Sequence, residues 1–223
     1  MVERIRAAQF HEQEGLDDWR VVLGQAEARF RADSFPAALA FVQRIGAAAE
    51  AADHHPDIDL RYRTVHVSMS THAVHGLSER DVALARTISA LAADAGVEAE
   101  PHAAERVEVA VDALDIAAVV PFWKAALGYV DQPGLPPGEQ VDAIVDPARI
   151  GPPVWFQQMD SPRPQRNRIH LDVSVPHDVA VARVDAALAA GGRLVSDEHA
   201  RSFWVLADAE GNEVCICTWQ DRD

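Results

Sequence analysis

The sequence predicts an α+β protein in two parts: an N-terminal antiparallel sheet with helices on one face, then a C-terminal half that uses one pattern twice. Three observations carry this prediction. Strand-like and helix-like periodicities alternate through residues 1–100. Asp94 to Glu105 (DAGVEAEPHAAE) follows a helical stretch with small and polar residues; Gly96 suits a helix end and Pro101 cannot continue one, so a linker falls there and the boundary near residue 100. Beyond it, a strand–helix–strands order recurs in copies of about 50–60 residues, a repeat that points to two similar modules side by side.

Val21 to Phe30 is predicted as strand, interrupted near Gly24. Phe35 to Ala52 is predicted as helix, because Ala38, Phe41, Val42, Ile45 and Ala49 recur at spacings of three and four. His55-Pro56 ends it, since the residue before proline is pushed out of helical geometry. Tyr62 to Ser70 alternates Val65, Val67 and Met69 against Thr64, His66 and Ser68, the signature of a half-buried strand. Ser78 opens a second helix, with Asp81 placed for a capping box and Leu77 and Val82 for a hydrophobic staple. Leu84, Ile88 and Leu91 form its buried stripe. In the second half, the first copy reads as strand at Arg106 to Val111, helix at Asp115 to Leu127 stopped by Gly128, and strands near Val141 to Val145 and Val154 to Gln158. The second reads as strand at Ile169 to Val175, helix at Asp178 to Ala190 stopped by Gly191-Gly192, and strands near Phe203 to Ala207 and Glu213 to Thr218. The Pro-rich pieces Pro133 to Gly138 and Ser161 to Pro164 are its loops.

Composition narrows the function. With 48% hydrophobic and 25% charged residues over 223 positions, the chain is of ordinary globular type. A net charge of −15 argues against a nucleic-acid or anionic-membrane partner, both of which need clustered positive charge. No apolar run approaches the roughly 18 residues that span a bilayer, and the opening MVERIRAAQFHEQEGLDDW holds no signal-peptide-like stretch. Cys215 and Cys217 build no disulfide framework and read as small apolar strand residues, so the expected compartment is a reducing cytoplasm.

Of ten histidines, five fall between His54 and His75. Glu50 and His54 are four apart and so expected on one helix face, with His54 in the last turn, where the helix dipole favours imidazolium. His72 follows directly after the predicted strand, in a loop that returns through Gly76 to the next helix. Two histidines with unlike surroundings suit a reaction that expels a hydroxyl while a proton leaves the neighbouring atom. Asp81 is explained as well by capping as by catalysis. A zinc site is another reading of the cluster, although the adjacent pair His54-His55 would rarely aim at one ion.

The stretches Glu50-Ala-Ala-Asp-His54-His55-Pro56-Asp57, Tyr62 to Thr71-His72 and Gly76-Leu-Ser-Glu-Arg-Asp81 resemble the pterin-4a-carbinolamine dehydratases over roughly residues 16–95. The resemblance implies dehydration of 4a-hydroxytetrahydrobiopterin to quinonoid dihydrobiopterin, with the pterin as substrate and neither metal nor other cofactor. It implies His54, His72 and His55 around the pterin, His54 and His72 as acid and base, and Glu50 and Asp81 as supports. It also implies a homo-oligomer. The duplicated half, through Asp115 to Gly128 (DIAAVVPFWKAALG), Arg168 to Val173 (RIHLDV) and Asp208 to Cys217 (DAEGNEVCIC), resembles the glyoxalase-like branch of the vicinal oxygen chelate superfamily, which implies paired βαβββ modules. The expected division is therefore 1–100 and 104–223. Where that superfamily binds metal, position matching points to Glu108, a residue near Gln157, His170 and Cys215; with a glutamine and a cysteine in place of carboxylates, no metal is expected and His170 reads as a histidine satisfied within the sheet. Two rivals stand beside the dehydratase reading: a non-enzymatic binding or oligomerisation protein, and a metal-dependent lyase or dioxygenase in the C-terminal half.

Overall fold

In the computed structural model, which describes residues 2–134, 141–163 and 169–221, the chain forms two compact units, Met1–Arg106 and Val107–Asp223. The loop residues expected at 135–138 and Pro164, and Arg168 of the RIHLDV stretch, lie outside the described residues.

In the first unit, a short helix α1 (Ala7–His11) precedes β1 (Arg20–Val22) and β2 (Gln25–Arg31). Their register, Val22 opposite Gln25, leaves Leu23-Gly24 as a two-residue turn with φ of 48° and 74°. Two positive φ values suit the right-handed twist of a hairpin, so the interruption expected near Gly24 is a reversal that makes two strands. Helix α2 (Phe35–Ala52) follows, capped by Ser34, whose hydroxyl accepts from Ala37 N–H. Next come β3 (Asp57–Arg61) and β4 (Thr64–Met69), then α3 (Glu79–Ala95) with the Ser78/Asp81 capping box formed. The strand expected to start at Tyr62 starts at Thr64, because Tyr62-Arg63 turns the chain between β3 and β4. Strand β3 is absent from the sequence reading, although Ile58 and Leu60 alternate with Asp57, Asp59 and Arg61.

The sheet order is β1-β2-β4-β3, all antiparallel. Ala26, Ala28, Phe30, Val65, Val67 and Met69 are buried in one core with Phe41 and Ile45 of α2 and Leu84 and Ile88 of α3. Trp19, Phe30 and Phe41 meet edge to face in series, and the Trp19 indole donates to Ser89 Oγ. The segment expected as linker is partly structure. Strand β1 covers only Gln25 to Glu27 of β2, and β5 (Glu98–Ala99) pairs with Phe30 and Arg31 beyond it. Unpaired backbone on a strand edge needs partners, and this chain supplies them.

The second unit contains the repeat. β6 (Val109–Ala113), α4 (Ile116–Leu127), β7 (Val130–Asp131), β8 (Ala143–Val145) and β9 (Val154–Gln158) form the sheet β6-β9-β8-β7. β10 (Leu171–Ser174), α5 (Ala180–Ala189), β11 (Arg193–Ser196), β12 (Phe203–Ala207) and β13 (Glu213–Cys217) form β10-β13-β12-β11. In each module the first and last strands pair in parallel and the rest antiparallel, giving βαβββ twice. One core spans both, with Phe122 and Trp123 of α4 beside Val184 of α5, Phe156 of β9 and Ile216 of β13. Gly192 allows the second module close to Phe122: a Cβ there would lie 2.3 Å from the ring. The Glu210 carboxylate accepts from Leu114 and Asp115 N–H at 2.8 and 2.7 Å, tying the turn before β13 to the start of α4.

Candidate active site

Helix α2 does not run through the histidine pair. It ends at Ala52, and Asp53 adopts a left-handed conformation (φ 47°, ψ 43°). Asp53 N–H bonds Glu50 O and His54 N–H bonds Ala49 O, the paired closure that satisfies the last carbonyls of a helix. This reversal sends His54 inward, where it is 6% exposed, and leaves His55 at the surface. The expected pairing of Glu50 with His54 is therefore corrected: Glu50 Oε2 lies 3.1 Å from His55 Nε2, both side chains exposed. A four-residue spacing places two side chains on one face only while the helix continues.

His54 meets Asp81 instead, Nε2 to Oδ1 at 2.8 Å. Asp81 is completely buried, and its other oxygen is fully engaged. Asp81 Oδ2 accepts from Thr71 Oγ1 at 2.7 Å and Ser78 N–H at 2.7 Å, while Ser78 Oγ lies 2.6 Å from Thr71 Oγ1. The capping acid and the histidine partner are thus one residue, using one oxygen for each task. His72 begins a 3-10 turn (His72–Val74) directly after Thr71 and is exposed. Its loop closes where Thr71 N–H donates to Gly76 O at 2.7 Å.

A cleft of about 190 Å³ between α2 and α3 is lined by Ala48, Ala52, His54, Arg80, Leu84 and Thr87, among others. Of the three expected histidines, only His54 lines it. The structure brings His54 to Asp81 and His55 to Glu50, and holds His72 one residue from the Asp81 network.

Another acid–imidazole group lies on the sheet face opposite the helices. Glu27, 1% exposed, has His66 Nε2 at 2.6 Å from Oε2, and its Oε1 accepts from Arg106 Nη2 at 2.8 Å and Ser68 Oγ at 3.1 Å. Sequence reasoning missed Glu27 and Arg106, which are 79 residues apart. The signal for Glu27 was an acid inside a strand whose neighbours Ala26 and Ala28 are apolar.

In the C-terminal unit, a cavity of about 860 Å³ is lined by residues including Glu108, Asp112, Trp123, Met159, Arg163 and His170. His170, expected to sit satisfied within the sheet, instead precedes β10 and is exposed, with Nε2 3.4 Å from Asp172 Oδ1. Asp172 is the cross-strand neighbour of Cys215, and ligand atoms of His170, Asp172 and Cys215 lie within 4.8 Å of one another. Glu108 is not in this group. Burial, together with a hydrogen bond to Asp172 and that residue's charge, pushes the Cys215 thiol up to about 12. Imidazole, carboxylate and sulfur are a donor set that fits a divalent ion, with Asp172 in place of the expected Glu108. Cys215 and Cys217 are both free.

The family model for pterin 4 alpha carbinolamine dehydratase matches residues 3–91. A relative from Nocardia farcinica (strain IFM 10152) that bears this family's name is 51% identical over 77 residues, which span 34% of this chain and 81% of the relative. This chain belongs to the pterin-4-alpha-carbinolamine dehydratase family. The dehydratase unit is also similar to a transcriptional coactivator/pterin dehydratase from Brucella melitensis of known crystal structure, at 30% identity and a TM-score of 0.39, over 40% of this chain and 99% of that one. Residues 108–217 match the model of a glyoxalase-like domain. An enzyme of the glyoxalase/bleomycin resistance protein/dioxygenase family from Burkholderia phytofirmans PsJN has 18% identity and a TM-score of 0.40, over 52% of this chain and 98% of its own. Among the described residues, no helix is long and apolar enough to cross a membrane.

Proposed function

We propose that the dehydratase unit removes water from 4a-hydroxytetrahydrobiopterin to give quinonoid dihydrobiopterin by histidine general acid–base catalysis. The observation that carries this reading is the buried His54–Asp81 pair beside a cleft, within the residues that the dehydratase family model matches. In the reaction the C4a–O bond breaks and the hydroxyl leaves as water once protonated, while N5 gives up its proton and a C4a=N5 double bond forms. His54, with a carboxylate behind its ring to stabilise the imidazolium, takes the N5 proton. His72, on a strand-end loop, supplies the proton to the departing hydroxyl. His55, with Glu50 beside it, flanks the pterin from the surface. No metal or other cofactor is needed for these steps.

The test is turnover of enzymatically generated 4a-hydroxytetrahydropterin by the purified protein. Activity should survive chelation, and His54→Ala and His72→Ala should each lose about a hundredfold or more in kcat. Full activity in both variants would overturn the assignment. No activity in the unaltered protein would favour the alternative of a binding or oligomerisation protein.

One observation favours a second reading for the glyoxalase-like unit: His170, Asp172 and Cys215 converge near its cavity. In that reading it is a metal-dependent lyase or dioxygenase. A divalent ion held there would act as a Lewis acid on a bound oxygen. Metal analysis of the purified protein checks this: near-stoichiometric divalent ion that falls in His170→Ala supports it, and none after growth in zinc- and iron-replete medium refutes it.

A further inference from the structure

We infer that Thr71 and Ser78 are positioning residues that fix the ring of His54 in one tautomer, with Nε2 carrying the hydrogen and Nδ1 left as the nitrogen that exchanges protons. This deepens the dehydratase reading and rests on it for the step that Nδ1 serves.

The argument follows the hydrogens. A carboxylate accepts and cannot donate, so Asp81 Oδ1, 2.8 Å from His54 Nε2, requires a hydrogen on that nitrogen. A neutral imidazole carries one ring N–H, so Nδ1 holds the lone pair, and among the described residues nothing bonds it. The assignment holds only while Oδ1 points at the ring, and the partners of Oδ2 see to that. Ser78 N–H is a fixed donor to Oδ2 at 2.7 Å. Thr71 has one hydroxyl hydrogen, and Oδ2 at 2.7 Å takes it. Ser78 Oγ, 2.6 Å from Thr71 Oγ1 and 3.3 Å from Oδ2, then donates its own hydrogen chiefly to Thr71 Oγ1, the nearer acceptor, and its lone pair accepts from Arg80 N–H at 3.1 Å. The hydrogens therefore run one way, from Ser78 to Thr71 to Asp81, and His54 donates into the same carboxylate from the other side.

Thr71 and Ser78 are both buried, so water cannot replace a hydroxyl removed from either one. Without the Thr71 hydroxyl, Oδ2 keeps Ser78 N–H and only the longer donation from Ser78 Oγ at 3.3 Å, so the carboxylate is freer to turn about its Cβ–Cγ bond and holds Oδ1 against Nε2 less firmly. Thr71 also couples the two proposed catalytic groups. Its hydroxyl acts through Asp81 on His54, while its backbone closes the loop that carries His72.

The test uses the full chain with 15N-labelled histidine. In Thr71→Val the shape is kept and the hydroxyl lost; Thr71→Ser restores it. The unaltered protein and Thr71→Ser should show the nitrogen shifts of an Nε2–H ring for His54 at pH above its titration. Thr71→Val should show a tautomer mixture, with kcat down about tenfold or more and KM changed by less than about twofold. Should Thr71→Val fail to fold, Thr71→Ala removes the same hydroxyl with a smaller side chain, and the same mixture is expected. An unchanged Nε2–H signal in the folded variant, with only melting temperature reduced, would overturn the inference. If the unaltered protein turns over no pterin, the dehydratase reading fails while the nitrogen shifts still decide the tautomer.

Discussion

Asp53 and Gly96 end the two long helices in the same way, and the difference between them separates what a side chain needs from what the backbone needs. Both are left-handed, at φ 47° and 64°, and both are followed by a residue whose N–H returns to the last turn: His54 to Ala49 O and Val97 to Ala92 O. Glycine adopts this conformation freely, whereas any other residue is strained there. A Cβ on Gly96 would meet nothing within 4 Å, so Gly96→Ala carries only the backbone term. It should destabilise the first unit by about 1 kcal/mol, read as a lower urea midpoint at unchanged slope. A glycine marks such a stop in a sequence, and Gly96 was legible as one. An aspartate does not, which is why His54 reads as a helical residue beside Glu50. Pro56 gave the end of the helix to within a few residues, but the direction of the next side chain depends on the residue where the chain reverses.

At the scale of elements, the buried faces of the longer strands were legible and the ends were not. Arg106 to Val111 was expected and Val109–Ala113 is found, yet Val109 and Val111 face the core in either reading. Alternation determines the face; the ends are set by pairing, here with Val154 to Gln158 of β9. The short strands β3, β5, β7 and β11 escaped because two to five residues hold too few periods to see. The turn between β8 and β9 shows how such a connection is held. The Asp146 carboxylate accepts from Ala148, Ile150 and Gly151 N–H at 2.8, 3.0 and 2.8 Å. Partial burial pushes this carboxyl up, but the three donors outweigh it and hold it below its usual value. A depressed folded-state value means the stabilisation is present above the unfolded value, about 3.9, and is lost as pH falls below it. Asp146→Asn should therefore destabilise the second unit at pH 7 but have a smaller effect near pH 3, a difference that thermal melts at the two pH values would show. Equal effects at both would contradict it.

Over the whole molecule, the end of the first unit is held by charge. Glu27 is buried beneath the sheet, and Arg106, the last residue of that unit, donates to it through Nε and Nη2 at 3.0 and 2.8 Å. Removing one partner of a buried pair strands the other without water. A chain cut after residue 100, the boundary that composition suggests, loses this cation and the 3-10 turn Pro101–Ala103. A fragment of residues 1–106 should be more stable than one of 1–100 by about 2 kcal/mol, and Arg106→Ala in the longer fragment should account for most of the gap. Equal melting temperatures for the two fragments would show that Glu27 is satisfied without Arg106. The same scale explains why Arg106 read as part of a strand: its partner is 79 residues away, and a charge inside an alternating stretch says nothing about which charge it meets.

By itself, the sequence determined the α+β class, the capping box at Ser78 and Asp81, the core faces of the helices and main strands, and the repeated module, because periodicity and capping act over a few neighbouring residues. It also carried the family's histidine stretches. Tertiary structure alone decided that Asp81 serves His54 as well as its helix, that Glu50 serves His55, that Asp172 joins His170 and Cys215, and that Glu27 takes Arg106. The pairs Asp81–His54, Cys215–Asp172 and Glu27–Arg106 join distant segments, and Glu50 meets His55 only because the chain reverses at Asp53; no local pattern encodes which partner arrives.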